Sequence, residues 1–423
     1  MLAENVQPAP AAATTHRAAF FRQSGWLMIA SIAGGALTWA VHFLSHRTGR
    51  EEYGVFGALM SMVIFVPTMP LQMVLAQQTA KALATQKEQE LAAMIRLVWI
   101  GTTVAWVIAC VVVWLLRGHI LSSWKIANPA GLWITLPALL LSLWLPLFSG
   151  VMQGQQNFLW LGWSQMLNGI ARLVIAVIAV MALGARAAGM MTGVLLGTMV
   201  AVGICIWQTR SIWAATPVAF DWRRLLRQVL PLMLGFSAFQ FLFSADTMFS
   251  KAYFDSETAG CYVSAGTLSR ALMWLVVPLA TVMFPRIVHS AARSEKTDLM
   301  GLVLLATAAL AGAGAVGLSV LGPWVIRFMS GGAYVQMASA MLPWYAAAMV
   351  PLSLGYVLLN NLLARSWFKV VPALCVLAIG YAFALTRFHD SPISVLKTLG
   401  VANLLLFLIC AWFTWFAPER NRQ

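Results

Sequence analysis

The sequence predicts an all-α integral membrane protein of about twelve transmembrane helices, arranged as two six-helix bundles related by a pseudo-two-fold axis around a central cavity. Of the 423 residues, 61% are apolar and only 9% are charged, and the mean hydropathy is +0.81. A water-facing surface requires far more charge, which excludes a soluble globular protein. The apolar residues form separate runs of about 20 to 27 residues, the length of a bilayer-spanning helix, rather than short alternating barrel strands. A weak internal repeat divides these runs into two halves.

The N-terminal residues 1–22 are rich in Ala, Pro and Thr and contain no uninterrupted apolar stretch. This composition predicts a disordered tail rather than a cleaved signal peptide. The first apolar run is therefore expected to act as its own insertion signal. Residues 417–423 are predicted to form a second short tail.

Twelve apolar spans follow one another along the chain. An even number of spans places both termini on one side of the membrane, and more of the 27 Lys and Arg residues lie on that side than on the other. The positive-inside rule then predicts that both termini are cytoplasmic. Only Arg172 and Arg270 lie deep inside spans, since every other Lys or Arg lies outside the spans or within five residues of a span end. The predicted spans are residues 24–44, 53–76, 92–116, 131–152, 157–183, 188–208, 228–250, 258–284, 299–327, 335–362, 368–387 and 393–416.

The longest connection, residues 209–227, is basic and separates six spans from six. It predicts a cytoplasmic linker between an N-terminal bundle, residues 23–208, and a C-terminal bundle, residues 228–416. The second span opens with residues 52–59 (EYGVFGAL), and the eighth opens with residues 258–265 (TAGCYVSA), so that one glycine and one aromatic residue recur at an offset of 206. Six spans return the chain to the same side, which predicts parallel repeats about an axis along the membrane normal.

Several functions are disfavoured by what the chain lacks. The net charge of +14 is scattered over short loops, so topology accounts for it and no nucleic-acid partner is expected. The five cysteines lie singly and without metal-ligand spacing, which predicts packing roles and no metal site. The longest outward loop, residues 117–130, has no carboxylate, and the sequence contains no DxD, HExxH or Gly-rich phosphate loop. No catalytic residues and no enzymatic activity are therefore expected.

A polar stripe in the fifth span is the first candidate site. Gln165, Asn168 and Arg172 lie three and seven positions apart, on one face of a helix that follows the Gln-rich stretch 150–157. An arginine within a span must meet water, a counter-charge or a ligand. The interpretations are contact with an anionic substrate or a helix-packing role.

Polar residues on three other spans extend the candidate binding surface. Arg270 shares a helix face with Thr267 and with Trp274, which is placed to stack on a sugar. Like Arg172, Arg270 either contacts an anionic substrate or has a helix-packing role. On the first two spans, Thr38, His42 and Gln72 are expected to continue the cavity wall; His42 is either pH-responsive or an interfacial hydrogen-bonding group.

Asp246 is the only acidic residue inside a predicted span. It is a candidate site for a coupling proton or Na⁺, a partner of Arg270, or an interfacial carboxylate near the outer end of the seventh span. Pro67 and Pro70 in the second span remove backbone hydrogen bonds and are a candidate hinge, although kinks are also common in membrane bundles.

Three parts of the chain resemble the polysaccharide-export flippases. They are residues 51–56 (EEYGVF), residues 150–158 (GVMQGQQNF) with Arg172 downstream, and Asp246 followed by residues 259–262 (AGCY) and 284–286 (FPR). This family belongs to the superfamily that also holds the multidrug and toxic-compound extrusion antiporters and the peptidoglycan-precursor flippase. The resemblance implies two bundles in a V that open alternately to cytoplasm and periplasm. Twelve spans rather than fourteen favour the polysaccharide branch.

The resemblance implies a flippase that moves a lipid-linked glycan across the bacterial inner membrane, for O-antigen or exopolysaccharide assembly. Such a substrate presents a pyrophosphate, a polar glycan and a polyprenyl tail, for which a carrier needs cations, hydrogen-bonding groups and an apolar flank. The expected partners are membrane lipids and the glycosyltransferases or polymerase of the same pathway, with no cofactor beyond a coupling proton or Na⁺. The alternatives are an ion-coupled multidrug exporter of the same fold and a non-transporting membrane scaffold.

Overall fold

The computed structural model describes residues 26–66, 68–216, 218, 221–273, 276, 299–365 and 367–416. Within these ranges the chain is helical and contains no β-strand. The helices are α1 (Trp26–Thr48), α2 (Arg50–Ile64), α3 (Thr68–Ala84), α4 (Glu88–Ser123), α5 (Ala130–Gly154), α6 (Phe158–Met181), α7 (Arg186–Gln208), α8 (Arg210–Trp213), α9 (Trp222–Tyr253), α10 (Ser256–Arg270), α11 (Leu299–Met329), α12 (Gly332–Ala364), α13 (Val370–Arg387) and α14 (Pro392–Trp415).

The prediction of an all-α membrane protein with about twelve spans is confirmed. In the described part of the chain, eleven helical segments are long and apolar enough to cross a bilayer. The second span is made of α2 and α3 together, and the eighth predicted span begins as α10 and continues outside the described residues. The two predicted tails, Pro67 and Trp274 also lie outside them.

Polar residues at the helix starts explain where several spans begin. The side chains of Asn157, Asp255 and Ser391 accept hydrogen bonds from backbone N–H groups in the first turns of α6, α10 and α14. These caps satisfy donors that a helix start leaves free. Gly49 and Gly331 have φ values of 82° and 99°, a backbone conformation that glycine adopts without strain, and they set the sharp turns before α2 and α12.

The helices form two six-helix bundles around a central cavity. In the first bundle, α7 packs along both α5 and α6, and α3 packs on α5. In the second, α12 lies between α11 and α14, and α9 packs on α13. The short helix α8 stays with the first bundle, because Arg96 donates hydrogen bonds of 2.9 Å to the carbonyl oxygens of Trp213 and Ala215.

The two bundles pack closely where α2 and α10 begin, and we call this region the closed end. Helix α9 of the second bundle also packs on α2 and α3 of the first. A Cβ atom on Gly260 would collide with the carbonyl oxygen of Arg50, and one on Gly57 would collide with the side chain of Val263. Only glycine permits so close a backbone approach. Residues 52–59 and 258–265, the two copies of the internal repeat, therefore lie on the helices that pack against each other across the pseudo-two-fold axis.

The second span is interrupted rather than smoothly kinked. Helix α2 ends at Ile64 and α3 begins at Thr68, with Pro70 in the first turn of α3. The carbonyl oxygen of Ile64 accepts a hydrogen bond of 2.8 Å from Nε2 of Gln240 on α9. A side chain of the second bundle thus satisfies a backbone group that the helix end leaves free. The use of this break as a hinge stays a prediction.

Candidate functional site

A cavity of about 890 Å³ lies between the two bundles. Its described walls come from α1, α3, α9, α12 and the segment that follows α10, and they are mostly apolar and aromatic. The polar side chains among them are uncharged, and no carboxylate is found among the lining residues that the structure describes. Of the predicted site residues, Gln72 and the hinge candidate Pro70 line this cavity. Its polar lining residues are Ser31, Thr68, Gln72 and Gln240, together with the amphipathic Trp39 and Tyr356.

Polar contacts between the bundles seal the closed end beyond this cavity. The Nη2 atom of Arg50 lies 2.7 Å from Oε2 of Glu257 in the opposite bundle. The Tyr334 hydroxyl donates a hydrogen bond of 3.3 Å to the carbonyl oxygen of Ser45, and His46 Nε2 lies 3.1 Å from the carbonyl oxygen of Phe328. Each of these contacts exists only while the two bundles touch at this end.

Asp246 is fully buried in the second bundle, and its carboxylate is saturated with donors. Oδ1 lies 2.7 Å from Nη2 of Arg270, and Oδ2 accepts hydrogen bonds from the hydroxyls of Tyr262, at 2.9 Å, and Tyr345. The pairing of Asp246 with Arg270 is thus the arrangement that the structure shows. The alternative of an interfacial carboxylate was wrong, because side chains from α10 and α12 cover Asp246 on the inner side of α9.

Arg270 is held by the second bundle and lies behind the cavity wall. It donates to the carbonyl oxygen of Phe243, at 2.9 Å from Nε, and to Oγ1 of Thr247, at 2.7 Å from Nη2. Its guanidinium also lies over the rings of Phe243 and Tyr345. Because Phe243 lines the cavity, Arg270 stands one side chain away from it. Its positive charge is balanced by Asp246, and direct substrate contact stays a prediction.

Arg172 differs from Arg270, since its buried charge has no acidic partner among the described residues. The residue is 7% exposed, its Nη2 contacts the Met60 sulfur at 3.6 Å, and its Nε makes no hydrogen bond. No salt bridge to it occurs in the described part of the chain. The nearby Oδ1 of Asn168 is also buried without a partner. A buried guanidinium in this state is unstable unless an anion or water reaches it.

The stripe of Gln165, Asn168 and Arg172 lies on one side of α6, but that side faces other helices of the first bundle. The backbone of Gln165 packs on Gly34 of α1, and Asn168 and Arg172 pack on Gly197 of α7. None of the three is among the described residues that line the cavity. The helical periodicity therefore correctly predicted that these residues share one face of the helix. The structure does not place them on the cavity wall, where they were expected.

His42 belongs to a chain of hydrogen-bonding groups that connects the two bundles. Its Nδ1 lies 2.8 Å from the Tyr53 hydroxyl, which lies 3.2 Å from Oγ1 of Thr267 on α10. His42 is half-buried, and its ring packs near that of Trp39, which lines the cavity. The predicted interfacial position of His42 does not fit this site. Thr38 instead donates to the carbonyl oxygen of Gly34 in its own helix.

Sequence reasoning missed the tyrosines that complete these clusters. Tyr53, Tyr262 and Tyr345 are fully buried, and their hydroxyls bond His42 or Asp246. A buried tyrosine hydroxyl needs a polar partner, so a tyrosine within an apolar span is a signal for such a cluster. Within the described residues, no group of three or more His, Cys, Asp or Glu side chains is arranged to hold a metal ion.

Two helical bundles that share a central cavity and pack against each other through α2, α3, α9 and α10 have the architecture of an alternating-access membrane transporter. The chain belongs to the polysaccharide biosynthesis protein family, whose model matches residues 21–290. Curated relatives include uncharacterized proteins of Mycobacterium bovis and Mycobacterium tuberculosis, which are 36% identical over 98 residues. These matches cover 22% of this chain and 22% of each relative.

Solved structures of known transporters share the fold over most of the chain. An inward-facing multidrug resistance transporter of the MATE family has a TM-score of 0.72 and 12% identity, covering 90% of this chain and 93% of its own. The lipid II flippase MurJ in an inward closed conformation has a TM-score of 0.70 and 16% identity, with coverages of 93% and 87%. At these identities the likeness concerns the fold alone. It confirms the two-bundle membrane transporter fold that the sequence predicts.

Proposed function

We propose that this protein is an alternating-access flippase that moves a polyprenyl-linked oligosaccharide, or a related anionic lipid-linked glycan, across the bacterial inner membrane for surface polysaccharide assembly. The observation that carries the proposal is Arg172, a buried guanidinium without an acidic partner in the described part of the chain. A charge inside a membrane bundle is costly unless a counter-charge reaches it. Arg172 is not among the described residues that line the cavity, so the proposal requires an anionic headgroup to reach it from the cavity and supply this counter-charge. A guanidinium suits phosphate oxygens.

The cavity supports the same substrate class. Its aromatic and apolar walls, including Phe236, Phe239 and Tyr356, offer a surface for part of a polyprenyl chain. Gln72 and Gln240 offer amide groups to sugar hydroxyls. Membership of the polysaccharide biosynthesis family adds independent support. Glycosyltransferases or a polymerase of the same pathway are the partners that this function requires.

The charge bias of the loops gives the proposed orientation. If both termini are cytoplasmic, the closed end faces the periplasm and the cavity opens toward the cytoplasm. The structure then corresponds to the state that receives a substrate made inside the cell. Alternation requires the contacts of the closed end to break while the bundles close on the other side.

An ion-coupled multidrug exporter is the rival function, since structural relatives include multidrug transporters. Exporters of organic cations require an available acidic group in the binding site. The buried acid here, Asp246, already binds Arg270 and two tyrosine hydroxyls, which disfavours that role.

The test compares Arg172→Ala with Arg117→Ala in a strain that depends on this protein for surface glycan. Arg117 is exposed on α4 and lies over the Trp114 ring, so its loss removes a charge without touching the cavity. Loss of a buried charge pair with the substrate costs about 2–5 kcal/mol, a rate loss of more than tenfold. We expect Arg172→Ala to abolish most surface glycan at normal protein abundance and Arg117→Ala to have no effect.

Two other outcomes would reject the flippase. Unchanged glycan together with increased drug sensitivity in Arg172→Ala would identify an exporter. Unchanged glycan and unchanged drug sensitivity would favour the membrane scaffold.

A further inference from the structure

The buried charges near the cavity do not balance a pyrophosphate. Arg270 is neutralised by Asp246, whereas Arg172 contributes one uncompensated positive charge in the described part of the chain. A pyrophosphate that links a lipid to a sugar is esterified at both ends, so each phosphorus keeps one ionised oxygen. Binding it beside Arg172 alone would leave one negative charge unbalanced in a low-dielectric site, which is strongly unfavourable.

His42 is the titratable group placed to supply the missing positive charge. Its ring packs on Phe56, one turn of α2 away from Met60, which contacts Arg172. Through Tyr53 it is connected to Thr267, one turn of α10 before Arg270. The charged or titratable groups around it are Tyr53, Arg172 and Arg270, and no carboxylate pairs with it within the described residues.

Counting hydrogens fixes which nitrogen of His42 is free. Thr267 donates its hydroxyl hydrogen to the carbonyl oxygen of Val263, at 2.9 Å, so it accepts from Tyr53. Tyr53 has one hydroxyl hydrogen and therefore accepts from His42, which places a hydrogen on Nδ1. Nε2 is then the basic nitrogen, and it makes no hydrogen bond to any described residue. Protonation of Nε2 leaves the chain intact and makes its first hydrogen bond charge-assisted.

We propose that His42 takes up a proton on Nε2 when a pyrophosphate-linked lipid binds, so that the imidazolium and Arg172 together neutralise the two charges of the pyrophosphate. In this proposal the proton comes from water in the cavity, whose wall includes Trp39, a neighbour of the His42 ring. This inference rests on the proposed function and specifies the headgroup: a lipid-linked sugar with a single phosphate carries one charge, which Arg172 balances without a proton.

The experiment is titration calorimetry of the full-length protein in lipid nanodiscs. The ligand is a short-chain polyprenyl pyrophosphoryl monosaccharide, measured in two buffers of different protonation enthalpy. This diester has no group that titrates near neutral pH, so any proton taken up binds the protein. We expect uptake of about one proton per ligand and an affinity that falls about tenfold for each unit by which the pH rises. The analogue with a single phosphate should bind without proton uptake.

His42→Gln should bind the pyrophosphate ligand more weakly and without proton uptake. The matched control is His119→Gln, because His119 is an exposed histidine on α4, which is not among the described helices that line the cavity, and should keep the uptake. Tyr53→Phe is a second test that preserves the ring packing: it removes the acceptor of the Nδ1 hydrogen and should change the pH dependence of binding.

The outcomes separate this inference from the function on which it rests. Tight binding of the pyrophosphate ligand without proton uptake, or uptake that persists in His42→Gln, would overturn the inference and leave the flippase intact. Absence of binding by the unmodified protein, or binding that is insensitive to Arg172→Ala, would overturn the proposed function itself. Nitrogen NMR of labelled histidine offers a direct check, because a neutral His42 with its hydrogen on Nε2 contradicts the proposed chain.

Discussion

Several groups stabilise the carboxylate of Asp246 at once, so replacing Asp246 is expected to lower the stability of the protein. Its carboxylate receives Arg270, Tyr262 and Tyr345 in a site that excludes solvent. Removing one member of a buried ion pair leaves the other charge uncompensated and costs about 3–5 kcal/mol. We therefore expect Asp246→Asn to lower the thermal unfolding temperature of the purified protein clearly. Glu257→Gln, which breaks a partly exposed pair worth about 0.2–1 kcal/mol, should lower it little.

A second substitution tests whether the loss comes from the unpaired charge. The double variant Asp246→Asn/Arg270→Gln removes both charges and should unfold at a higher temperature than Asp246→Asn alone. Exchanging the two residues should not restore stability, since an arginine at position 246 would face two tyrosine hydroxyls that donate to the present carboxylate. Equal unfolding temperatures of Asp246→Asn and the unmodified protein would contradict this account.

The same site shows how far single residues can be interpreted from the sequence. A lone acid and a lone arginine in neighbouring spans predicted a pair as one of several options. The choice among these options depended on Tyr345, which lies about a hundred positions downstream on α12. Apolar periodicity carries no information about such a distant contact. For Arg172 the sequence indicated a buried cation. That this cation packs against Met60 of α2 and Gly197 of α7, with no acidic partner among the described residues, is seen only in the folded structure.

At the level of helices, the contact between α2 and α10 depends on the absence of a side chain at Gly57. A methyl group there would collide with both γ-carbons of Val263. Overpacking of this kind costs about 1–3 kcal/mol and should favour separation of the bundles at the closed end. We expect Gly57→Ala to increase maleimide modification of Cys261, which is buried in this contact, by on the order of tenfold. The measurement uses a protein in which the other four cysteines are replaced.

Two further variants control this prediction. Gly101→Ala adds a methyl group where no atom lies within 4 Å and should leave the modification rate unchanged. Val263→Ala in the Gly57→Ala background removes the colliding atoms and should restore slow modification. Fast modification in both Gly57 variants would show that the collision is not the cause.

Helix positions were predictable because each span must be apolar over the thickness of the bilayer. Helix α4 has 36 residues and extends well beyond a bilayer, although its predicted span covered residues 92–116 only, since polar residues at its ends interact with water and do not end the helix. The break between Ile64 and Thr68 lies where two prolines predicted a kink, but the Gln240 hydrogen bond that stabilises it comes from the other bundle.

At the scale of the whole molecule, the internal repeat is the predicted sequence feature with the largest consequence for the fold. Its two copies, residues 52–59 and 258–265, pack against each other at the closed end. Small residues at equivalent positions allow two related helices to approach each other closely. The sequence predicted this symmetry, but which end of the molecule is closed depends on the conformation that the bundles adopt together, and no local pattern determines it.

If the proposed transport cycle is correct, the closed end must open in every turnover, and a covalent link across it should stop transport. Arg50 and Glu257 face each other from the two bundles and are accessible, so Arg50→Cys and Glu257→Cys can be joined by a short reducible cross-linker in a background without native cysteines. Because the exposed ion pair itself contributes little, the double variant should transport normally before cross-linking. Each single variant treated with the reagent is the control. We expect translocation of a pyrophosphate-linked glycan in proteoliposomes to cease after cross-linking and to return after reduction, whereas undiminished translocation by the cross-linked protein would show that substrate does not leave through this end.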